Sequence, residues 1–125
     1  MQPEPVVKQE TVDPLLAQYR EMVETKGETG RLNGQIKEID LHGQPVILTH
    51  PGIKKAQKIS ALAFQLGENV PTAANEQYVD HLIKEVVSYP EELKKQGTDY
   101  FEDPEHKGFL ELVSQADEFL SKYLN

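Results

Sequence analysis

Four histidines and several groups of carboxylates are the residues of this chain whose types and spacing bear on chemistry. His42 falls in a turn, His50 at a strand end, His81 in a helix and His106 at a helix start. No two of them are spaced i, i+4 on one helix and no HExxH occurs, so the signature of a helical zinc site is missing. His42 and His50 are placed to approach each other across the mouth of a hairpin, but a metal ion needs a third ligand and none can be named. The carboxylates are Glu38 with Asp40, Glu91 with Glu92, and Asp99 with Glu102 and Asp103. Acid–base work by such groups needs a pocket that shifts their pKa values. Glu38 and Asp40 project from one face of a strand, and the others sit in a polar stretch that offers no such pocket. GxSxG, P-loop and GxGxxG patterns are missing, and cysteine is absent, which removes disulfides, thiolate metal sites and thiol catalysis. The expectation is a protein that is not an enzyme, with no cofactor and no metal.

The elements that would position these side chains belong to one domain, since 125 residues leave no room for two. With 38% hydrophobic and 27% charged residues, few aromatics and no Trp, the core must rest on Leu, Ile, Val and Ala. A formal charge of −8 argues against nucleic acid or an anionic membrane as a partner, because counterion release needs a basic face. The apolar runs fall well short of the ~20 residues that span a bilayer. Met1 to Glu10 carries Pro and Glu where a signal peptide would be basic and then apolar, so a cytoplasmic, non-exported protein is expected.

The fold class read from the pattern is α+β, one β-hairpin packed by three or four helices. Residues 1–12 are too polar to order and are expected to form a tail. Residues 13–30 make an N-terminal helix and linker, with Asp13 as N-cap, Pro14 at the first position and a helix near 14–26 that stands as an appendage to the core. Residues 31–125 form the hairpin-plus-helices core. The hairpin runs from Gln35 to Thr49 around His42-Gly43, with a bulge expected because Ile36 and Ile39 break alternation. Pro45 must face an edge. Two strands alone are marginal, a physical reason to expect helix cover or self-association. Helices follow near 53–66, 73–88 (capped by Thr72, ended by Pro90) and 106–124, with a polar loop from Glu91 to Pro104 tacked down by Leu93, Tyr100 and Phe101. Core positions are expected at Ile39, Leu41, Ile47, Ile59, Leu62, Leu82, Ile83, Val86, Leu112, Val113, Ala116 and Leu120.

Three stretches in order, GQIKEIDLHGQPVILTHPGIKKAQKI, YVDHLIKEVVSYPEEL and GFLELVSQADEFLSKYL, resemble the tail assembly chaperones of long-tailed phages and prophages. The matching features are His42-Gly43, Pro51-Gly52, Val87 with Pro90, and Gly108-Phe109 with Ala116-Asp117, and they cover Gly34 to the C-terminus. The first 30 residues depart from the family pattern. The resemblance implies a non-enzymatic protein that coats the helical tape-measure protein until tail-tube proteins replace it, with a longer frameshifted form that recruits those tube subunits.

The contact residues expected for such a client are aromatics at the edges of helix stripes, Phe64, Tyr78, Phe109 and Tyr123, with Lys54, Lys55 and Lys58 as a charged rim. Completing the core is the competing role for the aromatics, and a solvated face is the competing role for the lysines. Two alternatives from other classes stand beside this one. The first is a structural phage component such as a head–tail connector or tail terminator, and the second is a small enzyme using the Asp99 to His106 loop.

Overall fold

The computed structural model describes residues 13–63 and 76–122. Among them the chain is α+β, a three-stranded antiparallel sheet with helices on both faces. Helix α1, Pro14–Thr25, starts where the Asp13 carboxylate accepts the Leu15 amide at 2.9 Å, with Pro14 in the first turn where its missing N–H costs nothing. The hairpin strands are β1, Ile36–Leu41, and β2, Gln44–Thr49. Their register runs unbroken from Ile36 opposite Thr49 to Leu41 opposite Gln44. His42 and Gly43 both take positive φ, 51° and 95°, which matches the twist of a two-residue hairpin turn. The Asp40 carboxylate fastens that turn by accepting the Gly43 amide at 3.1 Å.

Alternation along the strands explains the pattern that suggested a bulge. Ile36 and Ile39 point to opposite faces, and both faces are covered. Ile39, Leu41, Val46 and Leu48 pack on the main helical layer, while Ile36 and Ile47 pack on Leu16 of α1, with Tyr19, Val23 and Tyr89 around them. A bulge does occur, but between Ile47 and Leu48 where β2 meets a third strand. Helix α1 thus lies on the second face of the sheet, held by its own small apolar cluster.

Helix α2 is Ile53–Ala63, burying Ala56 and Ile59, and α3 is Glu76–Val86, burying Tyr78, Val79, Leu82, Ile83 and Val86. Residues 64–66 of the helix expected near 53–66, and Thr72 with residues 73–75 of the helix expected near 73–88, lie outside the described residues. The helix expected to reach residue 88 stops at Val86, and Val87–Tyr89 form strand β3 beside β2. Pro90 restricts Tyr89 to extended backbone, and the open edge of β2 supplies the hydrogen-bond partners that a longer helix would forgo. Pro45 sits on the central strand yet short of β3, which pairs only with Ile47 and Leu48, so no ladder bond is lost there.

The expected polar loop is also structured. Glu91–Gln96 form a short helix α4, acidic in its first turn and basic in its last, as the helix dipole favours. Gly97–Glu102 continue as a 3-10 helix. Leu93 and Tyr100 are buried, with Phe101 packed against them. The last helix, α5, Phe109–Ser121, begins after Gly108 (φ 94°) rather than at residue 106. Of the expected core positions, Ile39 and Leu62 are half-buried at its margin and the rest are buried.

Candidate functional site

The basic residues singled out in the sequence gather at the open end of the hairpin. Thr49, His50, Pro51 and Gly52 lead from β2 into α2, whose first turn carries Lys54 and Lys55 and no acidic residue. Together with Arg31 and Leu32 these residues border an open trough of about 830 Å³. Its lining mixes apolar Leu32, Pro51 and Ile53 with polar Asn33, Thr49 and Ser88 and charged Arg31, Lys54, Lys55 and Glu85, the last pairing with Lys55 at 3.0 Å. Lys58, one turn further along α2, is exposed beside the trough.

His50 is the hinge of this end. It is 1% exposed, and its Nδ1 accepts the Gly52 amide at 3.0 Å. That assigns the proton to Nε2, which donates to the Leu120 carbonyl oxygen at 3.1 Å. Burial lowers its pKa, and the Leu120 hydrogen bond offsets only part of that. A neutral imidazole therefore ties β2, α2 and α5 together.

At the turn end, the aromatic side chains form a chain of contacts. His106 stacks on Tyr100 with ring centroids 3.8 Å apart and hydrogen-bonds the Tyr100 carbonyl through Nδ1 at 2.7 Å. Tyr100 meets Phe101 edge-on at 5.2 Å, and Phe101 meets Phe109 at 5.3 Å. His42 reaches Glu111 of α5 at 3.2 Å. A small pocket of about 180 Å³ lies between His42, Leu93, Tyr100 and His106.

The structure separates several residues that the sequence had placed together. His42 and His50 stand at opposite ends of the hairpin, one in the turn and one beyond Thr49, so they cannot share a ligand. Glu38 is engaged by Arg20 of α1 in two hydrogen bonds of 3.0 and 2.9 Å, and Asp40 by the turn. Among the described residues no group of three His, Cys, Asp or Glu could hold a metal ion.

Tyr78 requires a correction. It is 1% exposed, inside the core between α3 and α5, with its hydroxyl donating to the Asp117 carboxylate. A ring that completes the core has no surface left for a client. Burial, together with the bond to Asp117, pushes its pKa well above the usual tyrosine value. Phe109 is half-buried against Phe101 and keeps an exposed edge. Lys54, Lys55 and Lys58 are all exposed, whereas Phe64 and Tyr123 lie outside the described residues.

Two surface residues were missed. Leu110 is 67% exposed, standing off the buried stripe of α5 by one position, and Arg31 borders the trough. On a helical wheel of α5 Leu110 falls at the edge of the stripe beside Val113, outside the arc of Leu112, Ala116, Phe119 and Leu120. Arg31 sits in a loop and carries no periodic signal. No helix among the described residues is long and apolar enough to cross a membrane. No family model, curated protein or solved structure matches the chain.

Proposed function

We propose that this protein is a tail assembly chaperone of a long-tailed phage or prophage. In this reading it is not an enzyme. It binds the tape-measure protein in the host cytoplasm and helps recruit tail-tube subunits. The observation that carries the proposal is the ordered resemblance from Gly34 onward. Its residues occupy joints of the fold: His42-Gly43 make the hairpin turn, Pro51-Gly52 lead into α2 and Gly108-Phe109 open α5, whereas Val87 and Pro90, which close a helix in the family pattern, bracket strand β3 here. A tape-measure rod exposes apolar stripes, and a helix docks best on apolar side chains framed by charge. Ile53 framed by Lys54, Lys55 and Lys58, and Phe109 beside Phe101, offer such surfaces. The net charge of −8 keeps many bound copies soluble.

Co-expression with the tape-measure protein tests the reading. A soluble complex that survives size-exclusion chromatography is the expected result. A client equally insoluble with and without this protein overturns it. Absence from finished particles separates a chaperone from a head–tail connector or tail terminator, which stays in the virion.

A further inference from the structure

We propose that the small pocket beside the hairpin turn binds a single neutral aromatic ring that carries a hydrogen-bond donor, the chemistry of a phenol. The site goes beyond the chaperone reading and does not depend on it.

Segments far apart in the chain build the pocket. Leu41 closes β1, Leu93 comes from α4 and Tyr100 from the 3-10 helix, and all three are buried. They give a space of about 180 Å³ its apolar walls. A cavity of about 150 Å³ with walls of this kind takes a benzene ring. The space here therefore suits one six-membered ring with a small substituent, and it is too small for a ligand of cofactor size.

The polar groups of the pocket call for a donor. His106 stacks on Tyr100, and its Nδ1–H donates to the Tyr100 carbonyl oxygen at 2.7 Å. The neutral ring thus keeps its Nε2 lone pair as an acceptor, and that nitrogen forms no hydrogen bond among the described residues. Gln44 is arranged the same way: its amide nitrogen donates to the Pro45 carbonyl oxygen at 2.8 Å, which leaves its own oxygen to accept. The charges cancel and select no ion. Exposed Glu105 and Lys107 stand at the pocket with opposite signs, and His42 is turned to Glu111 at 3.2 Å. Apolar walls, two acceptors and no net charge fit a hydroxyl on a ring. A carboxylate or phosphate would meet acceptors where it needs donors.

Titration of the full chain with p-cresol, followed by amide nuclear magnetic resonance, tests this. Saturable shifts are expected at Leu41, Gln44, Leu93, Tyr100 and His106 and none at the trough, with the millimolar Kd that suits so small a ligand. Toluene, the same ring without the donor, should bind about two- to tenfold more weakly, the worth of one hydrogen bond. His106→Phe keeps a ring on Tyr100 but removes the acceptor, so p-cresol should lose much of that advantage. Circular dichroism checks that the variant is folded; if it is not, the two ligands on the wild type decide alone. N-acetyl-tyrosine amide separates the two sources of a phenol. Binding as strong as that of p-cresol makes a partner's tyrosine side chain the occupant, and its loss restricts the pocket to a free phenol. No saturable shift at the pocket, toluene bound as tightly as p-cresol, or an advantage that survives intact in folded His106→Phe overturns the proposal.

Discussion

The ring of His50 bridges the Gly52 amide and the carbonyl oxygen of Leu120, seventy positions further along the chain. It is a buried polar group with both nitrogens in use, and it joins the end of the hairpin to the starts and ends of two helices. Such a group holds its neighbours firmly only in one protonation state.

That state sets a pH dependence. The folded pKa of His50 lies below the ordinary histidine value, so the unfolded chain takes up its proton first as the pH falls. The stabilisation is complete above the unfolded pKa, about 6.5, and is lost progressively as the pH drops below it toward the folded value. Denaturation midpoints measured from neutral to mildly acidic pH should fall over this window. In His50→Gln the histidine part of that slope should vanish.

The buried hydroxyl of Tyr78 makes a second, opposite prediction. Its folded pKa is raised by burial and by Asp117, so the unfolded state loses the proton first as the pH climbs past ~10. The stability it contributes is present below that value and declines above it. Tyr78→Phe removes the bond to a charged acceptor and should cost about 1–3 kcal/mol at neutral pH, read from urea unfolding.

Helix α1 should be a stabilising part of the fold. Leu16→Ala removes the side chain that α1 buries against Ile36 and Ile47 and should cost about 2–4 kcal/mol. Hydrogen exchange in α1 should rise with it. If α1 were an appendage, the variant would melt with the wild type.

Gly97 should not tolerate a side chain. Its φ is +61°, and a Cβ there would press on the Asp80 carboxylate and come within 2.9 Å of Lys84 Cε. Asp80 accepts the Thr98 amide at 3.0 Å and pairs with Lys84, so displacing it loosens the junction of α4 with the 3-10 helix. Gly97→Ala should destabilise by about 1–3 kcal/mol, measurable as a lowered urea midpoint.

Client binding can be separated from folding at the surface. Phe109→Ser with Lys54→Glu and Lys58→Glu should reduce tape-measure capture several-fold while the far-ultraviolet spectrum of the protein alone stays native. A spectrum that collapses would place Phe109 in the core, whereas capture at the wild-type level would move the client site elsewhere.

Residues close in the chain determined much of this protein without help from its fold. Asp13-Pro14 starts a helix because cap and ring both act on the first turn. His42-Gly43 reverses the chain because both residues accept positive φ. The stripes of α3 and α5 show their buried faces because helical periodicity is a local property. The apolar stripe that carried the expected helix past Val86 through Val87 to residue 88 was legible too, but it misled. The same residues suit a helix or a strand, and only the open edge of β2, forty positions earlier in the chain, selects the strand.

The fold alone decided which apolar residues remain at the surface and which charges meet. Tyr78 and Phe109 look alike as aromatics on helix stripes, yet one closes the core against Asp117 and the other keeps an edge free beside Phe101. His42 and His50 flank one hairpin in sequence but end up at its two extremes. Arg31 and Lys54 share a trough because backbone bonds from Gly34 to His50 and from His50 to Gln35 draw their loops together. Burial and electrostatic contact depend on packing between distant segments, so they arise only when the sheet, α1 and the other helices have closed on one another.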